Sequence, residues 1–361
     1  MTEPPKQSRP PTVADVARRA RVSRATVSRV LNQYAHVRPE VRARVQRAMQ
    51  VLGYRPDAVA RSLARRETRT LGLVVADITN PFYAETARAV LETAKANGYN
   101  VILCNTDHQP RVQEEYVEVL RQRRVDGIIF GSVFLEDPVV EGLVAAGYPC
   151  LMYNRRLRSH RGNFIVLDNV RASRDLTRHL VGLGHHRIGF VSGLPNISTA
   201  SERLRGYRAA LREAGLSVAP DLIRPGAFQA GTAEEATREL LKRRVRPTAI
   251  VASNDLMALG VIRAASDLGV RIPDDLAVVG FDDIEIADHP QVQLTTMAQQ
   301  KAEMGRLAAL GILEIIRDGS RLAGAPLQQI LAPTLIIRRT CGALLQGRVG
   351  RRPARGRTSP I

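Results

Sequence analysis

From residue 70 onward, the sequence alternates short apolar segments with helical segments of about a dozen residues. The first series contains the strand candidates TLGLVVA, YNVILCN, DGIIFGS and PCLMYN, with helices predicted near 82–97, 111–123 and 138–146. The second series opens at HLVGLGHHRIGFVSG, with strands predicted near 187–192, 222–224, 248–252 and 276–281. Strands connected through helices pair in parallel, so the sequence predicts two parallel sheets in two successive lobes. Ligands bind beyond the carboxyl ends of such strands, which places a ligand site in the cleft between the lobes.

A different pattern precedes this alternation, in residues 12–32 with the sequence TVADVARRARVSRATVSRVLN. Thr12 can cap a first helix, with Asp15 three residues later and apolar residues following at helical spacing. Ser23 can cap a second amphipathic helix after a tight polar turn. A third helix, predicted at 39–54 by its apolar stripe, would complete a small bundle. Two short amphipathic helices joined in this way are typical of the helix-turn-helix unit that binds duplex DNA.

The outward face of the second helix is the predicted base-reading surface, because Val27 and Val30 point toward the bundle. Arg29 can donate two hydrogen bonds to O6 and N7 of a guanine, and the small Ala25 lets the helix lie deep in the groove. The predicted contacts with bases and phosphates are Thr12, Ser23, Arg24, Ala25, Thr26, Ser28, Arg29 and Asn32. The alternative is that these polar side chains only solvate a small helical bundle.

The excess of positive charge lies at the two ends of the chain. Residues 1–70 contain 16 Lys and Arg against 5 Asp and Glu, and residues 338–361 contain 7 Arg without an acid. The segment 71–337 has 30 residues of each sign, so the formal net charge of +18 arises from the ends alone. A polyanion is therefore the expected partner of the ends, and the tail would add salt-sensitive, nonspecific attraction to DNA.

The three cysteines, Cys104, Cys150 and Cys341, are far apart and without metal-ligand spacing. They predict buried thiols in a reducing compartment, with neither zinc nor another cofactor. No apolar run is long enough to span a membrane, and the N-terminal sequence lacks the hydrophobic stretch of a secretory signal. We therefore expect a cytoplasmic protein without a membrane partner.

These patterns divide the chain into segments. The predicted segments are a disordered arm at 1–11, a helix-turn-helix domain at 12–56, a hinge helix and linker at 57–69, an α/β core at 70–339 and a disordered basic tail at 340–361. The predicted lobes are about 70–168 with 300–325, and about 169–299 with 326–339. The hinge candidate AVARSL is marginal as an isolated helix. It is therefore either a plain linker or a segment that folds when it meets DNA.

Several motifs occur in a defined order: DVARRARVSRATVSRVLN, GYRPDAVARSL, LGLVVADITNPFYAE, RRVDGIIF, LGHHRIGFVSG, ASNDLMALGV and VVGFDDI. With them, the chain resembles the LacI/GalR family of transcription regulators from about residue 12 to 339. The core motifs are shared with periplasmic sugar-binding proteins. The resemblance implies a helix-turn-helix head, a periplasmic binding protein-like core of two Rossmann-like lobes, and a homodimer that binds a pseudopalindromic operator. The tail after Thr340 lacks the leucine heptads that join dimers into tetramers.

By the same resemblance, AVARSL folds on operator DNA as a hinge helix, with Ala60 and Leu63 in the minor groove. Leu63 would wedge between the central base pairs, and the closer fit of bent DNA would offset the cost of unstacking them. The alternative for Leu63 is packing between the head and the core. Gln33 follows Asn32 where glycine is common in the family, so the turn after the second helix is expected to be less tight.

The resemblance also assigns residues to the cleft. Phe82 and Tyr83 match an aromatic pair that sandwiches a sugar ring, while planar polar groups pair with vicinal hydroxyls. Asn154 and Arg155 stand where the family usually has Asp-Arg, so one carboxylate has become an amide. The other predicted effector-binding residues are Arg203, Phe228, Asn254, Asp282 and Gln299. Asp168 is expected to contact these residues rather than the effector itself. The alternative is that Asp282 and Asn254 are capping or lobe-packing residues and that Phe82 belongs to the core.

Other functions fit the sequence less well. Purine-binding relatives carry an arginine where this chain has Ile197, so a nucleobase effector is less favoured than a sugar. An enzyme is disfavoured because His185 and His186 lie in a loop without a third ligand, and because the neighbouring Asp282 and Asp283 should point in opposite directions. A solute receptor without a role on DNA would lack a basic head. A protein corepressor stays open as an alternative partner.

The sequence therefore predicts a DNA-binding transcriptional regulator of the bacterial nucleoid, a repressor controlled by a small sugar or sugar derivative. The effector would favour one of two arrangements of the lobes, and that arrangement would decide whether the paired hinge segments fold on DNA. An inducer would favour the DNA-free arrangement and a corepressor the DNA-bound one.

Overall fold

The computed structural model describes residues 9, 11–31, 34, 36–54, 67–318 and 325–344. The chain forms two units, one ending at Thr68 and the other beginning at Arg69. Three predicted DNA contacts, Asn32, Ala60 and Leu63, lie outside the described residues, as do most of the predicted linker and the predicted tail from residue 345 onward.

The helices of the first unit, close to their predicted positions, are Val13–Ala20 (α1), Arg24–Leu31 (α2) and Pro39–Leu52 (α3). The predicted capping box begins α1. The Thr12 amide donates to Asp15 Oδ2 over 2.9 Å, and the Asp15 amide donates to Thr12 Oγ1 over 3.4 Å. Ser23 caps α2, since its Oγ accepts from the Thr26 amide at 3.1 Å. Between the two helices, Arg21 adopts a left-handed φ of 51° and turns the chain sharply.

A small apolar core joins these three helices. Val16 of α1, Val27 of α2 and Val45 of α3 are fully buried, one from each helix. Helix α3 begins at a proline, which has the backbone φ of a first helical turn, and it ends at Gly53 with a left-handed φ of 62°. The third helix thus completes the bundle as predicted, and burial of Val27 fixes which face of α2 is exposed.

The first lobe is a parallel sheet covered by helices. Its strands, in the order β11-β5-β4-β3-β1-β2, are Thr70–Val75 (β1), Asn100–Asn105 (β2), Gly127–Phe130 (β3), Cys150–Tyr153 (β4), Asn163–Leu167 (β5) and Gln328–Leu331 (β11). Its helices are Pro81–Ala96 (α4), Pro110–Gln122 (α5), Pro138–Ala145 (α6) and Lys301–Arg317 (α11). Strands β1 to β4 and helices α4 to α6 lie within a few residues of their predicted bounds.

The second lobe repeats this architecture. Its strands, in the order β12-β10-β9-β8-β6-β7, are Ile188–Ser192 (β6), Ile223–Pro225 (β7), Ala249–Ala252 (β8), Ala277–Asp282 (β9), Thr295–Ala298 (β10) and Thr334–Ile336 (β12). Its helices are Asn169–Gly182 (α7), Ser198–Glu213 (α8), Ala230–Leu241 (α9) and Asp255–Asp267 (α10). The edge strand β12 runs antiparallel to β10, which the prediction of two parallel sheets did not include.

The chain passes between the lobes after β5, after β10 and after β11. The assignment of 326–339 wholly to the second lobe is wrong for β11, because Gln328–Leu331 pairs in parallel with β5. Asn163 Oδ1 accepts from the Leu327 amide at 2.9 Å and anchors the start of this pairing. Apolar patterning shows that a segment is extended but does not show which sheet it joins, and this last crossing depends on contacts far apart in sequence.

The prediction of a disordered tail at 340–361 places the start of the tail too early in the chain. Thr340 is buried in a short 3₁₀ turn that follows β12. Just before it, Arg338 forms ion pairs with Asp283 at 2.7 Å and with Asp288 at 3.0 Å. The excess of positive charge in residues 338–361 therefore does not indicate disorder at its start, because Arg338 is neutralised by acids far away in the sequence.

All three cysteines are buried and free. Burial raises the pKa of Cys104 to about 11 and that of Cys150 to about 12. Both thiols are therefore protonated at neutral pH, as expected of core residues. Within the described ranges, no helix combines the length and the apolar character needed to cross a membrane.

The packing of α8 on α7 depends on a glycine. A Cβ built on Gly206 would lie 2.3 Å from the Val170 carbonyl oxygen and 2.9 Å from the Arg174 amide nitrogen. These are backbone atoms, so one of the two helices would have to move. Gly142 in α6 is a matched contrast, because a Cβ built there meets nothing within 4 Å.

We expect Gly206→Ala to lower the free energy of unfolding by about 1–3 kcal/mol, because the added methyl group overpacks the interface of two helices. The control Gly142→Ala should leave the stability unchanged or raise it by about 0.5–1 kcal/mol, since alanine favours an exposed helix. Urea denaturation followed by circular dichroism measures both effects. Equal stability of the two variants would contradict the close-packing role of Gly206.

Candidate functional site

The exposed side of α2 carries the predicted base-reading residues. Arg24, Ala25, Ser28 and Arg29 are all exposed, while the opposite side of the helix belongs to the core of the bundle. The predicted face is therefore presented outward, with guanidinium groups in the first and last turns of the helix. This arrangement suits bidentate hydrogen bonds to guanine or to phosphate.

Three hydroxyl groups of the head lie close to helix N-termini. The hydroxyls of Ser23 and Thr26 are 2.9 Å apart at the start of α2. Thr12 Oγ1 donates to Asp15 Oδ2 over 2.7 Å at the start of α1. Thr12 and Ser23 thus cap the two helices, and Thr26 contacts the cap of α2. The N-terminal end of α2 is a place where a phosphate can bind.

The second candidate site is a cavity between the two lobes. It is lined by every residue that the sequence assigned to the effector: Phe82, Tyr83, Asn154, Arg155, Arg203, Phe228, Asn254, Asp282 and Gln299. Its free volume of about 20 Å³ is roughly room for one water molecule. The lobes are therefore closed on each other, and a larger ligand needs the lobes or their side chains to move.

Asn80, His108 and Thr199 line the same cavity and were missed by the sequence analysis. Asn80 follows β1, His108 follows β2, and Thr199 lies in the first turn of α8 after β6. All three positions are at the carboxyl ends of strands. The rule that ligands bind there would have identified them if it had been applied to each strand end.

The motif NPFY forms the wall of the first lobe. Asn80 caps α4, because its Oδ1 accepts from the Phe82 amide at 3.0 Å. Phe82 and Tyr83 then lie in the first turn, with ring centroids 5.1 Å apart in a T-shaped arrangement. Tyr83 donates its hydroxyl to the Gly131 carbonyl oxygen over 3.1 Å. Both rings are almost fully buried, so they belong to the core and present only a small part of their surface to the cavity.

The cavity lining includes several residues in left-handed backbone conformations. The φ angle is 58° at His108, 62° at Asn154, 62° at Phe228 and 119° at Asp282. Asn and Asp tolerate this region, but a bulky residue such as Phe228 is strained there. Such conformations cluster at functional sites, where they direct side chains that ordinary strand ends would direct elsewhere.

Arg203 forms the polar centre of the second lobe's wall. Its Nε donates to Asn169 Oδ1 over 2.9 Å, and its Nη1 donates to the Ser253 carbonyl oxygen. Its Nη2 lies 3.8 Å from Asp282 Oδ1, and its guanidinium carbon lies 3.6 Å from the centroid of the Phe281 ring. Burial lowers the pKa of Arg203 to about 10, so the side chain is charged at neutral pH.

Asp282 faces Arg203 at the end of β9. Gln299 Nε2 donates to its Oδ1 over 2.6 Å, and Lys301 Nζ donates to its carbonyl oxygen over 3.0 Å. Burial raises the pKa of Asp282 to about 6, against the opposing effect of Arg203. The neighbouring Asp283 points away, toward Arg338, in agreement with the expected opposite directions.

Two predicted residues have roles as helix caps. Asn254 lines the cavity, but its Oδ1 accepts from the Met257 amide at 2.9 Å and caps α10. The capping alternative therefore holds for its oxygen, and its amide nitrogen is the group that it can offer to a ligand. Asp168 caps α7 by accepting from the Arg171 amide at 3.0 Å and lies outside the cavity lining.

Several polar atoms of the cavity have no hydrogen-bond partner among the described residues. They are Asn154 Oδ1, Arg155 Nε and Gln299 Oε1, all buried. Buried polar groups are normally paired, because leaving them unpaired costs free energy. Their concentration in one cavity, beside Arg203 and Asp282, indicates a site for a polar ligand with both donors and acceptors.

Comparison with known proteins identifies the families of the helical head and of the two-lobed core. Residues 12–57 match the family described as bacterial regulatory proteins, lacI family, and residues 68–331 match the periplasmic binding proteins and sugar binding domain of LacI family. Catabolite control protein A of Priestia megaterium is 38% identical over 298 residues, which are 82% of this chain and 90% of the relative. The PurR repressor of Photobacterium profundum is 36% identical over 308 residues, 85% of this chain and 92% of the relative.

A solved structure of the lac repressor dimer, bound to operator and the anti-inducer ONPF, is also similar. It superposes with a TM-score of 0.83 at 29% identity, covering 92% of this chain and 99% of the solved one. The family matches cover the helical head and most of the two-lobed core. The chain belongs to the LacI family of bacterial regulatory proteins, and it is a DNA-binding transcriptional regulator rather than an enzyme.

Proposed function

We propose that this regulator is a repressor whose affinity for its operator is controlled by a small sugar or sugar derivative bound between the lobes. The observation that carries the proposal is the group of unpaired polar atoms in the cavity, on Asn154, Arg155 and Gln299. A polyhydroxylated ring offers vicinal donors and acceptors that planar amide, carboxylate and guanidinium groups can bind in pairs. The family description of the matched core domain as sugar binding supports the same class of ligand.

The aromatic rings suit the apolar faces of a sugar. Phe82 and Tyr83 come from the first lobe, and Phe228 comes from the second. Rings from both lobes can cover the two faces of a pyranose or furanose while the polar groups bind its edge. Because the cavity is nearly closed, binding would be coupled to the movement of one lobe against the other. The ligand would then favour one of two lobe arrangements.

The head would bind DNA through the exposed face of α2, with Arg29 contacting guanine and the N-terminus of α2 near phosphate. We propose a homodimer on a pseudopalindromic operator in the cytoplasm, as the lac repressor dimer is bound to its operator. Ala60 and Leu63 would contact the minor groove as the family resemblance implies. The concentration of positive charge at the ends of the chain supports this orientation toward DNA.

A purine is the second candidate effector, because PurR repressors are among the similar proteins. Against it stands Ile197, which occupies the position of an arginine in purine-binding relatives and is fully buried in the apolar core of the second lobe. An apolar side chain there offers no donor to a nucleobase. A ligand screen that includes sugars and purines distinguishes the two classes.

We expect one sugar in a panel of pentoses, hexoses, polyols, sugar acids, sugar phosphates and purines to stabilise the full chain. A ligand at 100 times its dissociation constant adds about 2.7 kcal/mol to the free energy of unfolding. In a domain of this size, that raises the midpoint of thermal unfolding by about 5–11 °C. Asp282→Asn should abolish the shift, because it removes the acceptor charge while keeping the shape of the side chain. The exposed Asp274→Ala should not abolish it.

A shift with a purine and with no sugar would contradict the sugar proposal. A sugar shift that survives in Asp282→Asn would contradict the assignment of the cavity.

We expect Arg29→Ala to weaken binding to an operator selected from random duplexes by about 1–3 kcal/mol, because a bidentate contact with guanine is lost. Binding to unrelated duplexes should change little. Arg47→Ala, on an exposed position of α3, serves as the matched control. Fluorescence anisotropy with both duplexes measures the difference. An equal loss on selected and unrelated DNA would show that Arg29 contacts phosphate and does not read a base.

A further inference from the structure

Arg155 has unusual surroundings for a buried arginine. Only 2% of the residue is exposed, and it lines the cavity directly after β4. Its Nη1 lies 3.4 Å from the Ser132 carbonyl oxygen, and its Nη2 lies 3.3 Å from His108 Nδ1. Its Nε has no acceptor among the described residues. A guanidinium group has five N–H donors, so much of its capacity to donate is left for a ligand.

The cations around the cavity differ in whether an acid faces them. Arg203 lies 3.8 Å from Asp282, Arg156 lies 2.7 Å from Glu202, and Lys301 lies 3.5 Å from Glu85, each measured between nitrogen and carboxylate oxygen. Arg155 has no carboxylate oxygen within 4 Å in the part of the chain that the structure describes. Arg155 is thus the one of these four cations that no described carboxylate neutralises at close range.

Asp137 is a buried carboxylate in the same lobe, but it serves another purpose. Its Oδ1 accepts from the Val140 amide at 3.1 Å, and its Oδ2 accepts from Gln113 Nε2 at 2.7 Å and from the Phe134 amide at 3.3 Å. It therefore caps α6 and forms no ion pair with Arg155.

The immediate neighbours of Arg155 are neutral. Asn154, the preceding residue of the cavity lining, carries a neutral amide. Burial, and in second place the charge of Arg155, lower the pKa of His108 to about 4, so its ring is uncharged at neutral pH. Neither neighbour compensates the guanidinium charge. The guanidinium carbon also lies 5.9 Å from the centroid of the Tyr83 ring, which carries no opposite charge. A buried charge without an opposite charge to compensate it is costly, and a bound anion would remove that cost.

We propose that the effector is a sugar acid, whose carboxylate binds Arg155 while its hydroxyls bind Asn154, Gln299, Arg203 and Asp282. This inference rests on the proposed sugar-binding function of the cavity. A planar carboxylate matches the fork of N–H donors on a guanidinium group. One carboxylate neutralises the charge of Arg155, whereas a phosphate monoester would bring a charge of about −1.5 to −2 at neutral pH.

The test compares matched pairs of ligands on the full chain. D-glucose, D-galactose and D-ribose are each measured beside the corresponding aldonate, the hexoses also beside their uronates, and each sugar beside its phosphate ester. Thermal unfolding identifies the members that bind, and titration calorimetry gives their affinities. We expect an aldonate or uronate to shift the unfolding midpoint while its neutral parent sugar gives no shift at the same concentration.

Two variants test the charge argument. Asn154→Asp places a carboxylate beside Arg155, and aspartate tolerates the left-handed backbone at this position. We expect it to raise the unfolding midpoint without ligand and to weaken binding of the acid by at least about tenfold. Arg155→Met should abolish the response to the acid. The exposed Arg161→Met, in the same lobe, is the matched control and should retain it.

Each outcome has a defined meaning. A neutral sugar or a phosphate ester that binds as tightly as the acid overturns the sugar-acid proposal and leaves the sugar-binding function standing. A panel in which no sugar or derivative binds overturns both. A ligand-free Asn154→Asp protein that is no more stable than the wild type would show that the Arg155 charge is already compensated, which also overturns the proposal. This last measurement does not depend on the folding of Arg155→Met.

Discussion

The buried guanidinium of Arg203 holds α8 to α7, β8 and β9 at the edge of the cleft. Its donors reach Asn169, the Ser253 carbonyl oxygen and Asp282, and its flat face lies on the ring of Phe281. The carboxyl ends of two strands and the start of one helix are therefore positioned by one side chain. Because the guanidinium group of Arg203 stays charged while buried, its acceptors must keep their places. The polar wall of the second lobe therefore depends on Arg203.

The hydrogen bonds of Arg203 are connected, through Asn169, to the contact between the lobes. Asn169 accepts from Arg203 and donates its Nδ2 to Glu202 Oε2 over 3.2 Å. Glu202 in turn forms a mostly buried ion pair with Arg156 of the first lobe. A backbone hydrogen bond also joins the lobes, because the Leu135 amide donates to the Asn196 carbonyl oxygen of the second lobe over 2.8 Å. A ligand that displaces the Arg203 network therefore acts on groups that also hold the lobes closed.

Much of the fold and of the cavity lining could be predicted from the sequence. Each residue that the prediction missed has a physical reason. Local signals sufficed for α1, where Thr12 and Asp15 form the capping box, and for the strand ends that carry Asn154 and Asp282. The effector residues came from motif resemblance rather than from spacing. His108 was missed because a single histidine in a loop carries no periodic signal, and its place in the cavity depends on a left-handed turn after β2.

The helical head, the alternation of strands and helices, and the concentration of charge at the two ends can all be derived from the sequence alone, because they depend on periodicity, capping and composition within short windows. Contacts between distant segments place β11 in the first sheet, pair Arg338 with acids of the second lobe, and bury Arg155 with no carboxylate of the described residues within 4 Å. These features depend on which distant segments meet, and strand pairing and the pairing of buried charges are properties of contacts between segments rather than of any one segment.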